Sequence, residues 1–141
     1  MLTSTQKDLV QGTFATIAPI ADDAAVLFYQ RLFEIDPSLQ PMFRGDMVEQ
    51  RKKLMQMLAA AVKGLDRPDQ LVPVVEALGR RHATYGVVDG HYETVGAALL
   101  WTLEKGLGGA FTAEVRDAWA AVYGLLAATM KRAAGEALAG T

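Results

Sequence analysis

Apolar side chains recur every three to four residues along most of the chain, which is the spacing of one face of an α-helix. One such stripe ends at His82 and includes Leu78, Val74 or Val75, and Leu71. Because this face should point into the core, the imidazole of His82 is expected among aliphatic side chains. An unpaired polar group there would cost on the order of 1–3 kcal/mol. The imidazole therefore needs a carbonyl, a hydroxyl or a metal as its partner.

Cap and turn residues divide the chain into about seven helices. The predicted helices cover residues 3–18, 22–36, 37–42, 46–63, 68 or 73 to 85, 92–107 and 112–134. Their starts and stops are predicted from residues suited to helix ends, namely Thr3 or Ser4, Asp46, Thr112, Gly64 and Gly108-Gly109. Residues 87–91 are predicted as a short corner. Because strand patterns are nearly absent, we predict an all-α fold in one domain that spans residues 1–141.

The composition narrows the classes of function. The chain is 51% hydrophobic and carries a net charge of −2, so we expect a sizeable core and no binding of nucleic acid. It contains no cysteine, which excludes disulfides, iron–sulfur clusters, thiolate zinc sites and covalently attached c-type haem. No apolar run is long enough for a membrane helix, and the start lacks the pattern of a signal peptide. We therefore predict a cytoplasmic protein without membrane contact.

Three polar or aromatic residues outside the His82 stripe attract attention. Gln50 is the single amide at the start of an apolar helical stripe that continues through Leu54. Tyr29 lies beside Phe28 on the second predicted helix, and Phe43 follows the short predicted turn. Taken one at a time, each has an ordinary interpretation as a surface amide or a core aromatic. Only the three residues together indicate a particular kind of site.

In combination, the chain resembles the globin family, in particular bacterial single-domain globins and the haem domain of flavohaemoglobins. The resemblance covers nearly the whole chain. The motifs that carry it are Leu27-Phe28-Tyr29 with Leu32-Phe33, Asp36-Pro37 with Phe43, Gln50 with Leu54, Gly79-Arg80-Arg81-His82 with Tyr85-Gly86-Val87, His91-Tyr92 with Val95-Gly96, and Ala118-Trp119 with Val122-Tyr123-Gly124. It implies a globin fold that encloses a b-type haem, with His82 as the ligand of the iron. The second ring nitrogen of His82 is then expected to donate to the Leu78 carbonyl, one helical turn earlier.

The resemblance also implies roles for the residues around the haem. Phe43 matches the ring stacked on the porphyrin, and Tyr92 matches a tyrosine near the ligating histidine. His91 matches a position near the haem edge, where it or Arg81 would reach a propionate. The apolar wall of the haem site would consist of Leu54, Leu78, Val87 and Val95.

Tyr29 and Gln50 match the two positions of the family that contact a bound ligand. Bound dioxygen carries partial negative charge, and a tyrosine hydroxyl and a glutamine amide can both donate to it. At roughly 1 kcal/mol per hydrogen bond, each would slow oxygen release by several-fold or more. The sequence therefore predicts reversible binding of dioxygen and other diatomic ligands, with slow release.

Three functions stay open at this point. The first is oxygen storage, transport or scavenging. The second is an oxidoreductase that consumes nitric oxide or peroxide and takes electrons from an external reductase. Ala134 stands where the resemblance would place a glutamate that makes the imidazole more electron-donating, which favours the first function over the second. The third is a haem-based gas sensor that acts through a separate partner.

Overall fold

The computed structural model of the protein describes residues 3–43, 46–84 and 89–139. These residues form six α-helices, connected in part by four short 3-10 segments. The helices are α1 (Ser4–Ile17), α2 (Ala21–Ile35), α3 (Met47–Lys63), α4 (Pro68–Thr84), α5 (Asp89–Leu107) and α6 (Ala113–Ala139), and the 3-10 segments are Ala18–Ile20, Pro37–Met42, Gly64–Asp66 and Gly108–Ala110. The predicted all-α class is confirmed. None of these helices combines the length and the apolar character that a membrane-spanning helix needs.

Side chains cap three helices at the starts that the sequence predicts. Thr3 forms a capping box with Gln6 at the start of α1, with both hydrogen bonds at 3.0 Å. The carboxylate of Asp46 accepts a backbone N–H of α3 at 2.9 Å, and the hydroxyl of Thr112 accepts one of α6 at 3.2 Å. These bonds satisfy donors that would otherwise lack a partner in the first turn of each helix.

Two predicted helix ends are wrong. The fifth helix begins at Asp89, so His91 lies in the first turn of α5 instead of in a corner before it. The last helix continues past Ala134 to Ala139. Ala133, the residue before the predicted end, is completely buried.

Gly64 ends α3 as predicted, but for a different reason. Its φ is −73°, so the backbone stays right-handed and runs on into the 3-10 segment Gly64–Asp66. A Cβ at Gly64 would lie 3.0 Å from the Cδ1 of Leu71 on α4. A side chain at this position would therefore require the Leu71 side chain to shift.

The core lies where α1, α2, α5 and α6 meet. The largest side chains with almost no exposed surface are Trp119, Ile17, Leu32 and Val10. Outside this core, α3 packs against α2 and α1, whereas α4 packs against α6. The helices α3 and α4, which follow each other in sequence, therefore have different packing partners.

Candidate haem site

His82 lies near the end of α4 and is half-buried. Its Nδ1 lies 2.8 Å from the carbonyl oxygen of Leu78, which is the contact that the sequence predicts. Because a carbonyl only accepts, Nδ1 carries the proton and donates, which leaves the lone pair of the neutral ring on Nε2. Burial lowers the pKa of His82 below its ordinary value, and the Leu78 carbonyl opposes that shift. A neutral imidazole with an oriented Nε2 is a suitable ligand for haem iron.

Tyr29 lies on the inner face of α2, where only 8% of its surface is exposed. Three phenylalanine rings surround it, with centroid distances of 5.1 Å to Phe28, 6.1 Å to Phe33 and 5.3 Å to Phe43. Phe43 comes directly after the 3-10 segment Pro37–Met42, which turns the chain from α2 toward α3. The fold thus brings Tyr29 and Phe43, two residues of the predicted site, into edge-to-face contact.

The hydroxyl of Tyr29 reaches the beginning of α3. It lies 3.5 Å from the carbonyl oxygen of Gln50, which is a long and weak hydrogen bond. Burial raises the pKa of Tyr29 to about 12, against the opposing positive charge of Arg51. The phenol therefore stays protonated and able to donate at neutral pH. Gln50 is half-buried in the first turn of α3, the helix that Asp46 caps.

Three of the four residues predicted to form the apolar wall lie in the described part of the chain. Leu54, Leu78 and Val95 are half-buried on α3, α4 and α5. Leu54 also borders an apolar cavity of about 20 Å³ beside Phe28 and Leu99, so one of its sides faces the core. Val87 lies outside the described residues.

A second group of contacts surrounds Tyr92, whose side chain is 7% exposed. Its backbone carbonyl accepts a hydrogen bond of 2.6 Å from the hydroxyl of Tyr123, and the Nζ of Lys131 lies 5.7 Å from the centroid of its ring. Burial raises the pKa of Tyr123 well above its usual range. Sequence reasoning assigned no role to Tyr123 or Lys131. A Cβ at Gly96 would lie 2.8 Å from the Tyr123 ring, so this glycine leaves room for the ring, a contact that only the structure shows.

These residues fit a haem. Haem iron would need one nitrogen donor from the protein, and the Nε2 of His82 would supply it while the Leu78 carbonyl holds the proton on Nδ1. The half-buried apolar side chains of Phe43, Leu54, Leu78 and Val95 leave hydrocarbon surface that a flat apolar group would cover. A polar pair, Tyr29 and Gln50, lies at the junction of α2 and α3.

Comparisons with known proteins agree with this fit. The profile of the family described as Globin matches residues 26–130. In an alignment of 145 positions, the chain is 32% identical to a neuroglobin of Tetraodon nigroviridis. The alignment covers 93% of this chain and 91% of the relative. It is 35% identical over 130 residues to a flavohemoprotein of Bordetella parapertussis, where the match covers 90% of this chain but 32% of the longer protein.

Solved structures show the same fold. A bacterial globin from Campylobacter jejuni superposes with a TM-score of 0.84 at 24% identity, covering 99% of this chain and 100% of that one. An engineered carbene transferase from Rhodothermus marinus superposes with a TM-score of 0.89 at 24% identity, covering 99% and 97%. On the family profile and the sequence identity together, the chain belongs to the globin family, whose members bind haem and diatomic ligands.

Proposed function

We propose that this globin binds dioxygen reversibly through a b-type haem and releases it slowly, in oxygen storage, transport or scavenging. The observation that carries the proposal is the hydroxyl of Tyr29, which is buried and protonated and whose hydrogen-bond partner within the described ranges is the Gln50 carbonyl, at a long 3.5 Å. A donor held so weakly can turn toward a ligand that carries negative charge.

His82 would hold the haem iron through Nε2, while Leu78 keeps the ring oriented through Nδ1. When bound, the haem supplies the iron that binds a diatomic ligand and shifts negative charge onto it. Phe43, Leu54 and Val95 supply the apolar surroundings that exclude water from the site. Tyr29 donates to the ligand from α2, and the side-chain amide of Gln50 adds a second donor from α3.

Dissociation of oxygen from the Tyr29→Phe variant tests this function. Because removal of one hydrogen bond weakens binding by about 0.5–1.5 kcal/mol, oxygen should leave roughly 2- to 10-fold faster, as measured by stopped-flow displacement. Carbon monoxide is less polar when bound and should respond less.

Tyr123→Phe is the matched control, since it removes the hydroxyl of a half-buried tyrosine whose partner is the Tyr92 carbonyl. It should leave oxygen dissociation near the rate of the unmodified protein. An unchanged rate in Tyr29→Phe would contradict the assignment of the donor.

The oxidoreductase function is less well supported. A carboxylate near the ligating histidine would make the imidazole more electron-donating. The resemblance would place this carboxylate at the position of Ala134, so the chain lacks the matching residue there. Consumption of nitric oxide in steady state, compared with and without an added reductase, separates the two functions. Sustained turnover with the reductase would favour the enzyme.

A further inference from the structure

Gly79 lies where α4 crosses α6 at the distance of backbone contact. A Cβ added at Gly79 would lie 2.4 Å from the carbonyl oxygen of Met130 and 2.6 Å from its Cα. Real side chains do not approach backbone atoms this closely, because repulsion rises steeply below the contact distance. The contacting atoms of Met130 belong to the main chain, so no change of rotamer could make room. Only glycine therefore permits this crossing.

Further contacts hold the same two helices together. The Nη2 of Arg132 on α6 lies 3.1 Å from the Oε2 of Glu76 on α4. Val75, one turn before Gly79 on the same face of α4, is 3% exposed, and Ala133 on α6 is completely buried. The packing of α4 therefore depends mainly on α6, since the preceding helix α3 packs against α1 and α2.

The same turn of α4 orients the candidate haem ligand. Leu78, the residue directly before Gly79, provides the carbonyl to which the Nδ1 of His82 donates. Since a helix moves as a rigid rod over one turn, a shift of Gly79 relative to α6 carries the ring of His82 with it.

We infer that the backbone crossing between Gly79 and Met130 sets the position of His82 relative to the haem, so that Gly79 is a positioning residue for the iron ligand. The inference depends on the proposed ligation of haem by His82. It goes beyond that proposal because it states that the contact between α4 and α6, outside the haem site, determines where His82 lies.

The Gly79→Ala variant of the haem-loaded protein tests the inference. To restore ordinary contact, α4 must move away from α6 by about 1 Å. The iron–histidine stretching band of the ferrous, unliganded protein should therefore shift in resonance Raman spectra. Haem should also transfer to an excess of a haem-free acceptor globin several-fold faster than it does from the unmodified protein.

Gly124→Ala is the matched control. It makes the same substitution in α6, at a position where no atom lies within 4 Å of the added Cβ. Both measurements should stay at the values of the unmodified protein. If folded Gly79→Ala gives the same band and the same transfer rate as Gly124→Ala, the inference is overturned.

A second variant decides the matter if Gly79→Ala does not fold. Val75→Ala loosens the packing of the same face of α4 without adding atoms, and it should also shift the iron–histidine band. A band at the position of the unmodified protein in Val75→Ala would then overturn the inference. His82→Ala separates this failure from a failure of the proposed function, because the band must vanish in that variant if His82 is the ligand.

Discussion

At the residue scale, the hydroxyl of Tyr29 shows how burial suits a side chain to the role proposed for it. Surrounded by phenylalanine rings, the phenol has its pKa raised to about 12, so it donates without ionising at any physiological pH. The long contact to the Gln50 carbonyl leaves its hydrogen weakly held. Both properties follow from packing, because the sequence around Tyr29 is that of an ordinary amphipathic helix.

Burial of Tyr29 has a consequence for stability in alkaline solution. The folded protein holds the phenolic proton more tightly than the unfolded chain, whose pKa is near 10. The resulting stabilisation is complete below pH 10 and is lost as the pH rises toward about 12. The loss should amount to about 2 kcal/mol in the free energy of unfolding. Urea unfolding between pH 9 and 12 should show a smaller loss for Tyr29→Phe, and equal losses in both proteins would contradict the shift.

The two histidines of the chain allow a direct test of the haem ligand. His82→Ala removes the ring that Leu78 orients and should abolish the iron–histidine band and weaken haem retention. His91→Ala removes the other imidazole, in the first turn of α5, and should keep the band and the visible spectrum. Absorption and resonance Raman spectra of the purified variants provide the comparison. Unaltered axial spectra in His82→Ala would refute the ligand assignment.

At the scale of secondary-structure elements, the sequence predicts a helix end correctly where one residue accounts for it, by capping the helix or by adopting the backbone conformation of the turn. The turn after α5 is an example, because Gly108 adopts a φ of +55° there, in the left-handed region that side chains with a Cβ disfavour. The early start of α5 was not predictable in this way. Residues 89–91 contain a glycine and read locally as a corner, yet they belong to the first turn of α5.

The conformation of Gly108 leads to a prediction about stability. Nothing lies within 4 Å of an added Cβ at Gly108, so Gly108→Ala tests the backbone conformation alone. The variant should lose about 1–2 kcal/mol in the free energy of unfolding. Gly109→Ala also meets no neighbour within 4 Å and is the matched control, with an expected change within about 0.5 kcal/mol. Equal losses from chemical denaturation of the two variants would show that the left-handed turn is not the cause.

At the scale of the whole molecule, the two ends of the chain are joined in the core. The indole N–H of Trp119 on α6 donates to the hydroxyl of Thr13 on α1 over 2.9 Å, and Trp119 is 2% exposed. Thr13 in turn donates to the Leu9 carbonyl over 2.6 Å. The hydrogen bond between Trp119 and Thr13 thus links two residues that are 106 positions apart in sequence.

Removal of the acceptor should destabilise the whole domain. Thr13→Val keeps the shape of the side chain but leaves the buried indole N–H without its acceptor, which should cost about 1–3 kcal/mol. The midpoint of guanidinium unfolding measures the loss. Thr129→Val is the control, since the hydroxyl of Thr129 donates only within its own helix, to Leu125, and should matter little. A midpoint unchanged in Thr13→Val would mean that another group satisfies the indole.

The sequence by itself determined the features that depend on residues close together in the chain. Helical periodicity established the all-α class, and cap residues such as Thr3, Asp46 and Thr112 located three helix starts. The hydrogen bond from His82 to Leu78 was predictable because residues four apart lie on one face of a helix. The motifs along the chain were sufficient to identify the family.

Only the tertiary structure decided which distant segments meet. It packed α4 on α6 and α3 on α1 and α2, placed the Tyr29 hydroxyl at the Gln50 carbonyl, and put Gly79 against the backbone of Met130. The hydrophobic periodicity of the sequence does not predict these contacts, because each depends on how the helices cross in three dimensions. The residue types in the sequence were thus sufficient to predict the chemistry of the candidate site. Its geometry depends on the packing of helices that are far apart in sequence.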